Sequence, residues 1–320
     1  MNEEIVAKLQ EICRQEDKVD SLLYKGEVLQ IDHSRFSEIG KGELKKVYFV
    51  DGGQAELLVA GNFCLQYLRV AAVSFSDKGK EIHKLNAYCL VRTETIRDQI
   101  YYIAELFLDG KKIEGITFEK EELMVSSSNE MIKSGRQRAP ITKLGGIVRR
   151  FMELKLTKLL AEKDPEAYVI LDGSLDARYP KEQEIIDSLP SRVCALAKTT
   201  QLFTVSGKNP VVYLNKICSM NNPWVYSFSE KLHFVKLHWS AWHVFRFDGE
   251  KTVLGSLLDQ SKDPTFLGYP YGLILVDKLA RVSEQEKSQL RSKFLLRKDL
   301  AFLKEHLASQ DAHEILDRIG

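Results

Sequence analysis

YVILDGSLDARYP, Tyr168–Pro180, begins as a core-type β run and breaks on Asp172, Gly173 and Ser174. A short apolar run bounded by turn residues has the length and composition of a buried strand. A carboxylate at the end of such a strand needs a reason, because burying a charge without a partner is costly. The same construction stands earlier in KVYFVDGGQAELLVAG, Lys46–Gly61, where Lys46 to Val50 lead into Asp51, Gly52 and Gly53. Each reads as a strand that ends on a carboxylate and turns at a glycine. For either motif alone, an Asp-Gly turn without chemistry is an equal reading.

Outward from these two stretches the periodicity changes several times. KVYFVD, AELLVAG and FCLQYLRVAAVSF read as three short strands of a meander with glycine-containing turns. Residues 77–140 form a mixed, charged insertion in which TIRDQIYYIAELFLDG is predicted helical and SSSNEMIKSGRQRAP a loop. A helix is predicted from Ile141 to Lys163, with Leu144, Ile147, Val148, Phe151, Met152 and Leu159 on its apolar face. Asp164-Pro165 ends it, since proline disfavours a helical residue before it. The strand AYVILDG, a helix near PKEQEIIDSL and the strand SRVCALAKTT follow. Then comes a β-rich stretch, Pro223–Gly249, with the spacing of two or three antiparallel strands. From Tyr269 onward the pattern is mainly helical, and residues 3–24 show helical spacing through Ile5, Leu9, Ile12 and Cys13. The predicted organisation is a helical extension over 1–45, a core over 46–282 and a helical region over 283–320.

Composition narrows the class. The chain has 320 residues, 44% of them apolar and 28% charged, and its 46 Lys+Arg nearly cancel 45 Asp+Glu. This is the balance of a folded globular protein without global attraction for polyanions, so any contact with nucleic acid must be local. The five cysteines, Cys13, Cys64, Cys89, Cys194 and Cys218, are scattered without zinc or redox spacing. Reduced thiols, a cytoplasmic location and no membrane span are the expectations.

The order of a meander, a helix, a strand, a helix and a further strand resembles the ribonuclease-H-like arrangement, an α/β fold with a mixed sheet. In that arrangement carboxylates converge from the first strand, the first core helix and the fourth strand, and Asp51, Glu153 and Asp172 take those places. Such a site holds two hard divalent cations ~4 Å apart, and carboxylates supply the oxygen ligands. A strand tip keeps a carboxylate accessible, and a following glycine admits a bulky backbone such as DNA. Counted at 100° per residue, Glu153 falls opposite the apolar stripe, so a solvated glutamate is the competing reading. Glu162 is on the stripe but ~13 Å further along.

VYFVDGG, RRFMELK, VILDGSL, VCALAKTT, GYPYGLILVDKLARVS and the terminal HEILDRI occur in an order that resembles the NurA family of DNA-end-processing nucleases. The resemblance spans residues 47–320. It implies a ribonuclease-H-like core and a manganese-dependent nuclease, with Mg²⁺ as the alternative ion. The implied reactions are 5′ to 3′ exonuclease and single-strand endonuclease cutting, in double-strand break resection with a HerA-type hexameric helicase. A homodimer is implied in the same way. Asp51, Glu153 and Asp172 fall on the family's metal ligands and Tyr269 on its active-site tyrosine. Asp277 departs from a motif that often carries His; a carboxylate can still bind a hard cation, whereas imidazole proton chemistry is lost. Pairing with Lys278 or Arg281 on an exposed helix is the other reading of Asp277.

Lys198, just beyond a strand, is a candidate phosphate contact, and Lys133, Arg136 and Arg138 form a basic loop suited to a DNA backbone. A strand-end lysine and a solvated loop are the alternatives. His233, His238 and His243 lie five apart, which at strand period puts successive ones on opposite faces and disfavours a shared metal. Trp224, Tyr226, Trp239 and Trp242 offer stacking surfaces, with core packing the more ordinary role. His313 and Asp317 have the spacing of a helical cap or dimer contact. Two other functions stay open: a non-catalytic subunit that guides DNA on a helicase ring, favoured by Asp277, and an actin-like ATPase, for which paired glycine-rich phosphate loops are lacking.

Overall fold

The computed structural model describes residues 2–13, 20–42, 45–76, 79–110, 115–303 and 305–307. Helix α1 (Glu3–Cys13) is followed by strands β1 (Ser21–Tyr24), β2 (Glu27–Gln30) and β3 (Phe36–Glu38). Four long strands come next: β4 (Val47–Val59), β5 (Phe63–Ser76), β6 (Gly79–Ile96) and β7 (Gln99–Leu108). The short strand β8 (Met124–Ser126) leads to helix α2 (Lys143–Lys163). Strand β9 (Tyr168–Asp172), helix α3 (Glu182–Asp187) and strand β10 (Val193–Ala197) complete the centre. Beyond them lie β11 (Phe203–Thr204), α4 (Pro210–Ile217) and the strands β12 (Trp224–Ser227), β13 (Leu232–Lys236) and β14 (Phe245–Asp248). Helices α5 (Leu254–Gln260), α6 (Tyr271–Ala280) and α7 (Glu284–Leu295) follow, and further helical turns continue to residue 307.

Eleven strands form one mixed sheet in the order β3-β12-β13-β14-β10-β9-β4-β5-β6-β7-β8, and β11-β1-β2 make a smaller one. The pairs β4–β9 and β9–β10 are parallel, and the other pairs of the large sheet are antiparallel. Side chains alternate across the central strands. Tyr48, Val50, Val169 and Leu171 point into a core under α2, and Val47, Phe49, Tyr168 and Ile170 into a core under α5 and α6. Helix α2 is sandwiched so fully that 13 of its 21 residues are buried. Emptying one large position there, Phe151→Ala, is expected to cost about 3–5 kcal/mol.

Three expectations change. Of the predicted helix over 3–24, Glu3–Cys13 is described as helix, and Ser21–Gln30 is instead a hairpin whose turn, Lys25-Gly26, has both residues at positive φ (50° and 81°). The predicted helical insertion within 77–140 is β structure: β6 and β7 pair antiparallel around Arg97-Asp98, again at positive φ (46° and 62°). That is the geometry of a type I′ turn, which an Arg-Asp dipeptide does not advertise as Asn-Gly would. Finally, KVYFVD and AELLVAG are a single strand, so Asp51 lies within β4 and not at its end. What ends near Asp51 is the parallel pairing with β9, whose last partners are Val50 and Leu171. Beyond that point β4 continues with β5 alone. His313 and Asp317 lie outside the described residues, and no described helix is long and apolar enough to cross a membrane.

Candidate active site

Strand parity and one helix assemble the centre. Asp51 and Asp172 continue the alternation of Phe49 and Ile170, so both leave the sheet on the α6 face, where Asp277 projects from α6. Carboxylate oxygens of Asp51, Asp172 and Asp277 lie within 4.8 Å of one another. Lys198, one residue past β10, reaches the same point: its Nζ is 2.7 Å from Asp172 Oδ2 and 3.7 Å from Asp277 Oδ1. Asp277 also pairs with Arg281 at 2.7 Å, as the surface-pair reading of that residue expects.

Glu153 comes from the other face. It is 3% exposed, within α2, although the wheel count put it opposite the apolar stripe. Burial all round the helix leaves no solvated face at that point. Gly52 lets it approach, since a Cβ there would run into the Glu153 carboxylate. Arg149 donates to Glu153 and, at 2.8 Å, to the Gly52 carbonyl; Arg150 lies 3.5 Å from Glu153 and bonds Glu182 at 2.8 Å. Gly53 serves the opposite face, because a Cβ there would strike the Ala280 carbonyl at the end of α6. The glycine pair thus lets both helices close on β4, a nearer cause than the approach of DNA. A cavity of about 300 Å³ opens where the sheet ends, lined by Asp51, Glu153, Asp172, Asp277, Arg149 and Arg178 among others.

Crowded acids shift one another. Burial, then the charges of Asp172 and Glu153, push Asp51 up to about 7. Burial also raises Asp172, against the pull of Lys198. Burial lifts Glu153 while Arg149 and Arg150 oppose it. For Lys198, burial works to lower the pKa, but Asp172, Asp277 and Asp51 prevail and raise it, so it stays an ammonium. Tyr269 is wholly buried, its ring 5.3 Å from Lys198 Nζ, and its hydroxyl interacts with the Asp172 carboxylate, though outside good hydrogen-bond geometry. Burial and the charges of Asp172 and Asp51 hold it far above the ordinary phenol range, as a neutral donor.

The donor set suits a hard divalent cation: three carboxylates from three elements, mutually repelling, with only part of their charge offset by Lys198. Among the described residues this is the one cluster of His, Cys, Asp or Glu close enough to hold a metal ion. The loop residues Lys133, Arg136 and Arg138 are not brought to it. They precede α2, ten residues or about 15 Å of helix from Glu153, and Lys133 pairs with Glu130 at 2.6 Å. His233 is a buried core residue whose ring nitrogens face Ser227 Oγ and the carbonyls of Glu230 and Gly249. Trp224 and Tyr226 are core residues, whereas Trp239 and Trp242 are 65% and 87% exposed, against the core-packing expectation. Arg149 and Arg150 stand in the RRFMELK motif but drew no role from sequence. Their i,i+4 and i,i+3 spacing to Glu153 was the available signal.

No protein-family model matches the sequence, and no curated protein matches it. Solved structures do align with the fold. The NurA nuclease from Sulfolobus solfataricus covers 92% of this chain and 98% of its own, at 13% identity and a TM-score of 0.47. Human ENDOV covers 77% of this chain and 86% of its own at 15% identity and 0.36, and A. aeolicus Argonaute 75% and 28% at 11% and 0.30.

Proposed function

We propose that this protein is a divalent-cation-dependent deoxyribonuclease of the NurA kind, with a ribonuclease-H-like core. The observation that carries the proposal is the convergence of Asp51, Asp172 and Asp277 within 4.8 Å, where the parallel strands end. These three carboxylates would hold the cation. Glu153 is assigned as the fourth, its burial made tolerable by Arg149 and Arg150. A bound divalent cation would supply Lewis-acid polarisation of the phosphodiester and a more acidic water. Mn²⁺, or alternatively Mg²⁺, is the assigned ion, and two ions is the assigned number.

The chain's own groups have distinct tasks in this reading. Lys198, fixed as an ammonium, holds a phosphate oxygen and stabilises the charge that develops on it. Tyr269, kept neutral, orients a phosphate oxygen or the attacking water by donating a hydrogen bond, its hydroxyl lying beside Asp172 without good hydrogen-bond geometry. Arg149, on the cavity wall, has Nη1 and Nε engaged by Glu153, Gly52 and Gln54, and its remaining Nη2 has the task of donating to a phosphate. Lys133, Arg136 and Arg138 contact DNA further along. Resection of double-strand break ends with a HerA-type hexamer, 5′ to 3′ and single-strand cutting, a homodimer and a cytoplasmic location complete the proposal on the strength of the motifs. Asp277, the residue that favoured a non-catalytic subunit, sits inside the carboxylate group, which favours catalysis.

The test is cutting of end-labelled single- and double-stranded DNA with Mn²⁺, Mg²⁺ or EDTA, alone and with the helicase. Metal-dependent cutting abolished by both Asp51→Ala and Asp172→Ala is expected. Cutting that survives both substitutions would overturn the assignment.

A further inference from the structure

The loop between β13 and β14 holds its two tryptophans out in solvent. Trp239 and Trp242 are 65% and 87% exposed, while Ala241 between them is buried, as are Leu237 and Val244 at the loop's ends. Exposing two indoles forfeits the burial that aromatic side chains normally gain, so a cluster of this kind signals a partner. The loop is well fixed. Ser240 bonds His238 Nδ1 through its backbone N and its hydroxyl, at 3.3 and 3.1 Å. The His238 ring stacks on Trp239 with centroids 5.9 Å apart and planes 28° apart. His243 meets Phe266 edge-on at 5.0 Å, and Ala241 packs so closely on Gly268 that a Cβ there would lie 2.7 Å away. Gly268 has φ +87° and directly precedes Tyr269, so the loop rests on the segment that carries an active-site side chain.

Topology puts this loop beside the carboxylates. Strand β14 is antiparallel to β10 and β13 is antiparallel to β14, so β13 runs in the direction of β10, β9 and β4. The carboxyl end of β13, where the loop begins, is therefore at the same end of the sheet as Lys198 and Asp172. At ~4.8 Å per strand, the loop is displaced about 10–14 Å across the sheet from β9. That is the reach of a few nucleotides of extended strand. The exposed members are aromatic or polar (Trp239, Ser240, Trp242, His243), with His238 half-buried and no exposed aliphatic side chain, a surface for flat π faces more than for a protein core.

We infer that Trp239 and Trp242 form a base-stacking platform that holds unpaired bases of the DNA strand whose phosphate occupies the carboxylate site. This rests on the nuclease reading above. The three tryptophans give a direct readout, because Trp224 is buried and the other two are not. The full chain is titrated in EDTA with a fluorescently labelled oligothymidylate of about ten nucleotides, following anisotropy and intrinsic tryptophan quenching. We expect strong quenching, and binding weakened about tenfold by Trp239→Ala or Trp242→Ala and largely restored by Trp→Phe at each position. Unchanged affinity in both alanine variants would overturn the inference. So would sedimentation showing that the alanine variants lose self-association while keeping DNA affinity, which would assign the loop to a second copy of the chain. Wild-type cutting with Mn²⁺ keeps the two readings separable: absent cutting removes the nuclease, whereas cutting with unchanged alanine-variant affinity removes the platform alone.

Discussion

Replacing Asp51 by Asn should make the metal-free protein more stable while destroying its function. Asp51 is raised from 3.8 to about 7 in the folded chain. Between those values the folded state binds a proton that the unfolded state has released, so stability falls as pH rises and the full penalty is present above pH 7. A difference of about 3 units at 1.36 kcal/mol each sets a ceiling of ~4 kcal/mol. Asn keeps the shape and can still accept the 2.7 Å hydrogen bond from Gly52 N. It also removes one counter-charge from Lys198, which leaves a net gain of about 2–3 kcal/mol. For a chain of this size the gain corresponds to a rise in Tm of about 4–6 °C at pH 8, shrinking towards pH 4. The assay is thermal unfolding in EDTA across that range, repeated with Mn²⁺. Cation binding should raise the wild-type Tm by neutralising the same charges and should raise the variant's much less. An Asn variant no more stable than wild type at pH 8 would refute the view that the acids strain the apo site.

Tyr269→Phe removes a buried hydroxyl that lies beside the Asp172 carboxylate without good hydrogen-bond geometry. It should leave stability unchanged or raise it by about 1 kcal/mol in urea unfolding, while single-turnover cutting slows. Gly53→Ala should cost about 1–3 kcal/mol because β4 and the end of α6 must separate. The same shift displaces Asp277, so the Mn²⁺-induced rise in Tm should shrink in that variant. Lys198→Met removes the ammonium that competes for Asp172. Calorimetry should find tighter Mn²⁺ binding, about tenfold, together with slower cutting; weaker binding would show that Lys198 supports the site instead.

The strand character of Tyr168–Asp172 and the existence and apolar face of α2 were legible because apolar runs and helical spacing report burial directly. Asp51 and Asp172 were legible as a pair because both follow runs whose alternation fixes a face. The glycines were misread: an Asp-Gly-Gly run is a turn by local preference, yet here the strand runs straight through because helices on both faces need the space. That cause is tertiary and leaves no local mark. The β6–β7 hairpin was hidden for a related reason. Arg97 and Asp98 adopt positive φ without a glycine, and the flanking residues alternate between the faces of a two-sided sheet, which blurs period two. Glu153 was reached through the ribonuclease-H-like element order and not through its burial, since the wheel count assumes one wet face and α2 has none there. Trp239 and Trp242 could not be sorted from Trp224 by residue type. Exposure depends on the turn at His238–Ala241, which no periodicity encodes.

The register shift in β4, between Glu56 and Leu58, sets where the chain can change length. Side chains of a strand exchange faces with every residue gained or lost, so one deletion between Val47 and Asp51 would carry the acid to the α2 side and away from Asp172 and Asp277. The irregularity lies past Asp51 and absorbs such a change there. The far arm of the β4–β5 ribbon can therefore drift in length among descendants of this chain while the first five residues of β4 cannot.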